Sequence, residues 1–547
     1  MIFFLSTLAI FQCYILPGLL ITNKLNGDLL FKIISTVIIS LLFNFFLVTF
    51  LLALKLYSKE VLYIIFLFQI LILFFLYKSE NFKINFNLNL FFLIKVFVFS
   101  LIIFAFYKNT GNVFYSWDAV VSYNEWAIKF STGEYPGGMV RPYLIPKIWS
   151  MIYLFSDNSN ITLFTKFTTI LFPSLILLMS LDEILFYKKI RDLIKLFLFC
   201  TFFFLKKNFI LTGYVDIPLV ALIYCFFYFY RRQATNLSAF TLFISFTIKM
   251  SAIFLLIYFL IYKNKYLIIK LLISLAFILY FIFLYYSKLN NFFIADIFNE
   301  MGQNNNFNLF SQLQHSTKLL FNSNLIFFLI FSIFGFFINN FTRSILIIYI
   351  IPGWLYWSLL LSYDDRNFLF LIPGLIIINS IVVEKLILKF FPMTEDYFCN
   401  FEKKIFISKI FKKNSKTIFL ILSLIACSTL AVNDRYIIKY DKVKKNSMIG
   451  NNLMNLKLIE LVENNRLNRD NFITDFQLIF YVPALKKYIN WGNFLHKDLK
   501  NLYGFDYYLI YGHSPKIREV VKEKINNKKT EIILDINGFI LAGPNYL

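Results

Sequence analysis

Two carboxylates and a hydroxyl fall on one side of a short stretch between apolar runs. Asp118, Ser122 and Glu125 in Tyr115-Ser-Trp-Asp-Ala-Val-Val-Ser-Tyr-Asn-Glu-Trp-Ala127 are spaced i, i+4 and i+7, which in a helix puts them on one face. A carboxylate held beside an acceptor alcohol can take its proton, with Ser122 and Tyr123 placed to contact a substrate. The plainer alternative is the solvated polar face of an interfacial helix. Trp117 and Trp126 on the same stretch suit a membrane–water interface.

Cations that could meet a phosphate are scattered along the chain. Arg141 and Lys147 lie in or just after a constrained loop with three prolines and two glycines, Tyr135-Pro-Gly-Gly-Met-Val-Arg-Pro-Tyr-Leu-Ile-Pro-Lys147; they would bind phosphate or lipid headgroups. Lys249 is a charge inside an apolar stretch, and such charges are costly and usually face a functional cavity, unless the side chain snorkels to the surface. Arg366 follows Asp364 and Asp365 in a turn, where a guanidinium suits a phosphate leaving group and a capped polar turn is the simpler account. Asp216 in Gly213-Tyr-Val-Asp-Ile-Pro218 opens an apolar run, as the helix dipole favours, so alone it says little. His315 is a lone loop histidine. No His/Cys cluster has zinc spacing, and there is no Walker loop, dinucleotide fingerprint or nucleophile elbow.

The elements that must position these residues are membrane spans. Of 547 residues, 59% are hydrophobic and only 16% charged, more apolar than any water-soluble core can hide. A soluble enzyme, a fibre and a disordered protein are excluded. The net charge of +23 fits basic loops on one side of a membrane better than nucleic-acid binding. The 72 Phe and 34 Tyr fit an AT-rich coding bias and carry no functional weight. The five cysteines imply no disulfide framework.

Apolar runs lie at about 2–21, 31–54, 60–77, 90–107, 161–185, 193–210, 214–230, 267–287, 324–339, 344–361, 369–388 and 417–432. The first has no basic residue before it, unlike a cleaved signal peptide, and places the N-terminus outside. Residues 237–262 are either one span or two half-length helices turning at Lys249. Only the second choice keeps Lys263, Lys265 and the basic stretch 385–416 inside, as the positive-inside rule prefers. The turn must then be buried in protein or line a wet cavity. Segments 108–160, 206–216, 288–323 and 362–368 fall on the outer face. The expected fold class is an α-helical polytopic membrane protein of about 12–14 membrane segments, residues 1–432. A small extracytoplasmic α/β domain follows at 433–547, with a helix at 448–464, strands at Tyr507–Tyr511 and Ile532–Ile536, and a helix at 516–526.

Taken together, Trp117-Asp118 through Ala127, Tyr135-Pro136 to Pro142-Tyr143, Gly213 to Pro218, Thr247-Ile-Lys249 and Asp365-Arg366 ahead of a Pro373-containing span resemble the GT-C superfamily of membrane glycosyltransferases, such as protein O-mannosyltransferases and aminoarabinose transferases. Three spans precede the usual family start, and the acidic motif holds one Asp rather than an adjacent acidic pair. The resemblance implies an inverting glycosyltransferase of the bacterial inner membrane. Its donor would be a polyprenyl-phosphate-linked sugar and its acceptor a lipid or glycan hydroxyl, or a protein, outside the cytoplasm. Asp118 would be the base, and Glu125 a second carboxylate for the acceptor or for a divalent metal if the reaction uses one. Lys249, Arg366 and Arg141 would neutralise the departing phosphate. An O-antigen ligase or polymerase and a transporter or flippase are the rival classes. The polar C-terminal region disfavours the first, and the lack of an internal repeat disfavours the second.

Overall fold

The computed structural model describes residues 2–78 (without 23 and 26), 123–134, 143–155, 161–187, 189–206, 214–261, 309–361 and 364–390. In the C-terminal region it describes 457–467 (without 459 and 462), 471–474, 504–511, 515–536 and 539–544. Among these, five helices are long and apolar enough to cross a membrane: Leu5–Thr22, Leu29–Ala53, Lys59–Leu76, Asn340–Leu361 and Asp365–Phe390. A sixth span results if the pair Phe310–Asn322 and Ile326–Phe337, bent by 107°, is counted as one. The chain is therefore a helical, multi-pass membrane protein. The expected spans at 90–107, 267–287 and 417–432 lie outside the described residues.

The helix Asp216–Arg231 serves as a ruler through the bundle. At 1.5 Å per residue its two ends are roughly 22 Å apart. The Asp216 end, called near, also holds Lys249 and the turn at Asp364–Asn367. The Arg231 end, called far, holds Asp182, Glu183, Asp192 and Asp28. These anchors fix the run of the neighbours. Ile161–Tyr187 goes from near to far, Ile190–Leu205 from far to near, and Leu29–Ala53, started by Asp28 accepting the Phe31 amide at 2.8 Å, from far to near. Leu5–Thr22 packs antiparallel to Leu29–Ala53 through Thr22–Thr36 and Gln12–Asn44 hydrogen bonds. Close approach there needs Gly18, because a Cβ would sit 2.1 Å from the Thr36 carbonyl oxygen. The start of the Leu5–Thr22 span, Lys206, Asp216 and Asp364–Asn367 thus share one end, with Lys189–Lys195 and Arg231–Arg232 at the other. Charge placement in the sequence predicts the same division.

Between Thr235 and Ile261 the chain reverses. The helix Thr235–Ile248 ends at Lys249, whose backbone is extended (φ −154°, ψ 135°), and Ile253–Ile261 follows after a short 3-10 turn. Ser238, eleven residues before Lys249, donates to the Phe226 carbonyl at 3.3 Å. Phe259, ten residues after it, packs its ring 5.4 Å from the Phe226 ring. Both limbs therefore descend from Lys249 toward the far end, as the half-length pair requires. Neither glycine nor proline makes the break. Ser245 and Thr247 donate back to the Thr241 and Ile244 carbonyls at 2.8 and 2.7 Å, a pattern that competes with helix continuation, and Lys249 is held from two sides by other segments.

Two expectations for 108–160 change. The described helix in the acidic stretch is Glu125–Ser131, entered through a π turn at 123–124. Trp126 is buried in protein rather than set at a lipid interface: its ring stands edge-on to Tyr123 at 5.5 Å and to Tyr143 at 5.0 Å. Lys147 does not reach headgroups either. The helix Leu144–Phe155 is sunk among the membrane helices, and the Lys147 ammonium donates to Thr49 Oγ1 at 2.7 Å beside the Phe45 ring. An ammonium whose apolar stem packs inside a bundle has no reason to snorkel once a hydroxyl and an aromatic face receive it.

The C-terminal region contains a four-stranded sheet in the order β1-β2-β4-β3, with β1 Phe472–Thr474, β2 Tyr507–Tyr511, β3 Thr530–Ile536 and β4 Phe539–Pro544. β1 and β2 are parallel; β2–β4 and β3–β4 are antiparallel. The helix Pro515–Asn526 buries Val520 and Val521 with Tyr508 and Ile510. This agrees with the expected helix at 516–526 and strand Tyr507–Tyr511, whereas β1 and β4 were not expected.

Candidate functional site

The near end gathers side chains from three segments far apart in sequence. Asp216 stands in the first turn of its helix, where the positive helix end favours a carboxylate. Lys249, at the hairpin tip, donates to Asp216 Oδ1 at 2.6 Å and to Asn367 Oδ1 at 2.7 Å. Asn367 belongs to the 3-10 turn Asp365–Leu371, which Asp364 caps by accepting the Arg366 amide at 2.9 Å. Arg366 turns back on the same cap: its Nε donates to Asp364 Oδ2 at 2.6 Å, a terminal nitrogen bonds the same oxygen, and the guanidinium lies 3.8 Å over the Tyr214 ring. Lys206, at the C-terminal end of Ile190–Leu205, reaches Asp365 Oδ2 at 2.6 Å. That cation also suits the negative end of its own helix.

Among the described residues, three cations (Lys206, Lys249, Arg366) thus face three carboxylates (Asp216, Asp364, Asp365). The cluster is not sealed. The Lys249 side chain keeps 25% of its surface exposed. An ammonium has three donors, and two of them are used by the described acceptors, one a neutral amide oxygen. The third donor meets no described acceptor, so the ammonium has room to hydrogen-bond an anion while Asp216 holds it in place.

Of the residues expected in the site, Asp216, Lys249 and Arg366 are brought together. Tyr123 is buried, and its neighbour Asn124 accepts a hydrogen bond from Tyr153. Glu125 begins its helix. Asp118, Ser122 and Arg141 lie outside the described residues. Asn367, Tyr214 and Lys206 were not expected. Lys206 and Asp365 are 159 positions apart, and no local pattern signals that pairing. Among the described residues, no group of three or more His, Cys, Asp or Glu is arranged to hold a metal ion. His315 is exposed on the helix Leu309–Asn322.

No protein-family model, no curated protein and no solved structure matches this chain.

A second ionic cluster occupies the far end. Lys195 donates to Glu183 Oε2 at 2.6 Å and Asp192 Oδ1 at 3.3 Å. Arg231 bonds Glu183 Oε1 at 3.0 Å and both oxygens of Asp192, one of them at 3.0 Å. Tyr224 adds a 2.6 Å hydrogen bond to Glu183. Beside this quartet, Arg232 pairs with Asp182 and, at 3.1 Å, with Asp28. Asp182 and Glu183 sit inside an apolar run in the sequence, which reads simply as the end of a helix.

Proposed function

We propose that the chain is a membrane glycosyltransferase that moves a sugar from a polyprenyl-phosphate donor to a hydroxyl of a lipid or glycan acceptor at the near end of the bundle. That end would face away from the cytoplasm, since the basic residues Lys189, Arg191, Lys195, Arg231 and Arg232 lie at the other. The observation that carries the proposal is the meeting of Lys249, at a hairpin tip within the membrane region, with Asp216 and the Asp364–Asn367 turn, one ammonium donor being left for a ligand.

The acceptor oxygen would attack the anomeric carbon as its proton passes to the Asp118 carboxylate. The bond from that carbon to the phosphate oxygen breaks, and the polyprenyl phosphate leaves with the electron pair, inverting the sugar centre. Lys249 and Arg366 would stabilise the charge that grows on the leaving phosphate, an effect worth about 3–4 kcal/mol per donor. Glu125, Ser122, Tyr123 and Arg141 would orient the acceptor and the headgroup. A nucleotide sugar does not cross a membrane, so a lipid-borne sugar is the donor that a site on the outer face calls for.

The test is Asp118→Asn in the full chain, read by the surface glycans of a strain lacking the wild-type copy. Loss of transfer with unchanged membrane insertion is the expected result. Near-normal glycans would remove Asp118 from the mechanism.

A further inference from the structure

The far end contains a cavity of about 730 Å³. Glu183, Lys195 and Arg231 of the ionic quartet line it. Its walls are apolar, with Phe227, Phe341 and Ile381 among them. Gln233 and Asn339 stand exposed at the rim. Tyr224, the lining residue deepest along the Asp216–Arg231 helix, is seven positions from the Arg231 end, so the cavity reaches roughly 10 Å inward.

Charge bookkeeping within this cavity is uneven. Lys195 and Arg231 are balanced by Glu183 and Asp192, each cation bonded to both carboxylates. Arg191 also lines the cavity, half-buried, and forms no ion pair with a described residue. Among the described residues, the cavity therefore offers one guanidinium without an ion pair beside a balanced set of charges. Next to the rim, the chain that carries Asn339 and Phe341 presents Phe334 and Phe337 as exposed rings, and exposed Arg343 follows two residues after Phe341. In a protein embedded in lipid, exposed rings of this kind face acyl chains.

We infer that this cavity binds a membrane lipid with an anionic phosphate headgroup, the phosphate on Arg191 and the acyl chains running out past Phe341 and the exposed Phe334–Phe337 turn. A planar guanidinium suits a phosphate. The apolar walls favour an amphiphile over a free anion, whose hydration they would strip without return. The site lies at the opposite end of the bundle from Lys249 and does not depend on the transfer reaction.

The experiment uses the purified full chain in detergent, titrated with dioleoyl phosphatidylglycerol, dioleoyl phosphatidylcholine or inorganic phosphate, with bound lipid counted by native mass spectrometry. One phosphatidylglycerol per chain is expected to bind at least about tenfold more tightly than phosphatidylcholine. Arg191→Gln should lose that preference, Arg191→Lys should keep part of it, and inorganic phosphate should not displace the lipid. Equal binding of the two lipids, an unchanged preference in Arg191→Gln, or displacement by inorganic phosphate would each overturn the inference. Melting curves identical to wild type establish that both variants are folded.

Discussion

The two ends of the Asp216–Arg231 helix carry the same kinds of charges arranged in opposite ways. At the far end each cation of the quartet bonds two carboxylates, and the side chains of Asp192, Glu183 and Lys195 are 0%, 2% and 5% exposed. Among the described residues each near-end ion pair joins one cation to one carboxylate, and Lys249 and Asp364 keep 25% and 22% of their side-chain surface open while Asp216 and Lys206 are buried. Burying an ion costs several kcal/mol, and cross-bridging is what offsets it, so losing one member strands the others. A one-to-one pair at a helix break can exchange a partner for a ligand at small cost. The far quartet therefore acts as a clamp on the helices around Glu183, Asp192 and Arg231, whereas the near cluster is where the proposed transfer would take place.

This contrast can be broken by substitution. Glu183→Gln should have the largest effect on folding, with a loss of about 3–5 kcal/mol because Arg231 and Lys195 lose a shared buried partner. Detergent-solubilised protein should melt markedly lower, and an unchanged melting curve would show that the quartet is no clamp. Lys249→Met should act the other way. Transfer should fall about 100- to 1000-fold, while the melting temperature moves far less than in Glu183→Gln. Comparable losses of stability in the two variants would make the near cluster another clamp. His315→Ala, on an exposed helix face, should change stability by less than about 0.5 kcal/mol and leave transfer intact. A loss of transfer there would move the site toward the helix Leu309–Asn322.

Much of the helical layout is legible in the sequence because apolar runs and helices share one cause, the need to satisfy backbone groups within lipid. The runs 31–54 and 60–77 become Leu29–Ala53 and Lys59–Lys78. The reversal at Lys249 is legible too, since a single span would have put basic loops on both sides. Less can be read where pairing is distant. The bond between Lys206 and Asp365, the service of Asn367 to Lys249, and the quartet joining Glu183, Asp192, Lys195 and Arg231 depend on which helices become neighbours. Trp126 and Lys147 mislead for a related reason. Aromatic and basic residues beside an apolar run look interfacial, but the helix Leu144–Phe155 is inserted among three membrane helices and takes them inside. In the C-terminal sheet, β4 offers only four apolar residues before a Gly-Pro pair that reads as a turn, whereas β2 is an unbroken apolar run of five.

The most direct test of the near-end site is binding of a polyprenyl phosphate to the purified full chain, measured in the Arg191→Gln background so that the far cavity does not contribute. One molecule should bind per chain, and adding Lys249→Met should weaken it about tenfold or more, with the melting curve little changed. Equal affinity with and without Lys249 would contradict the account.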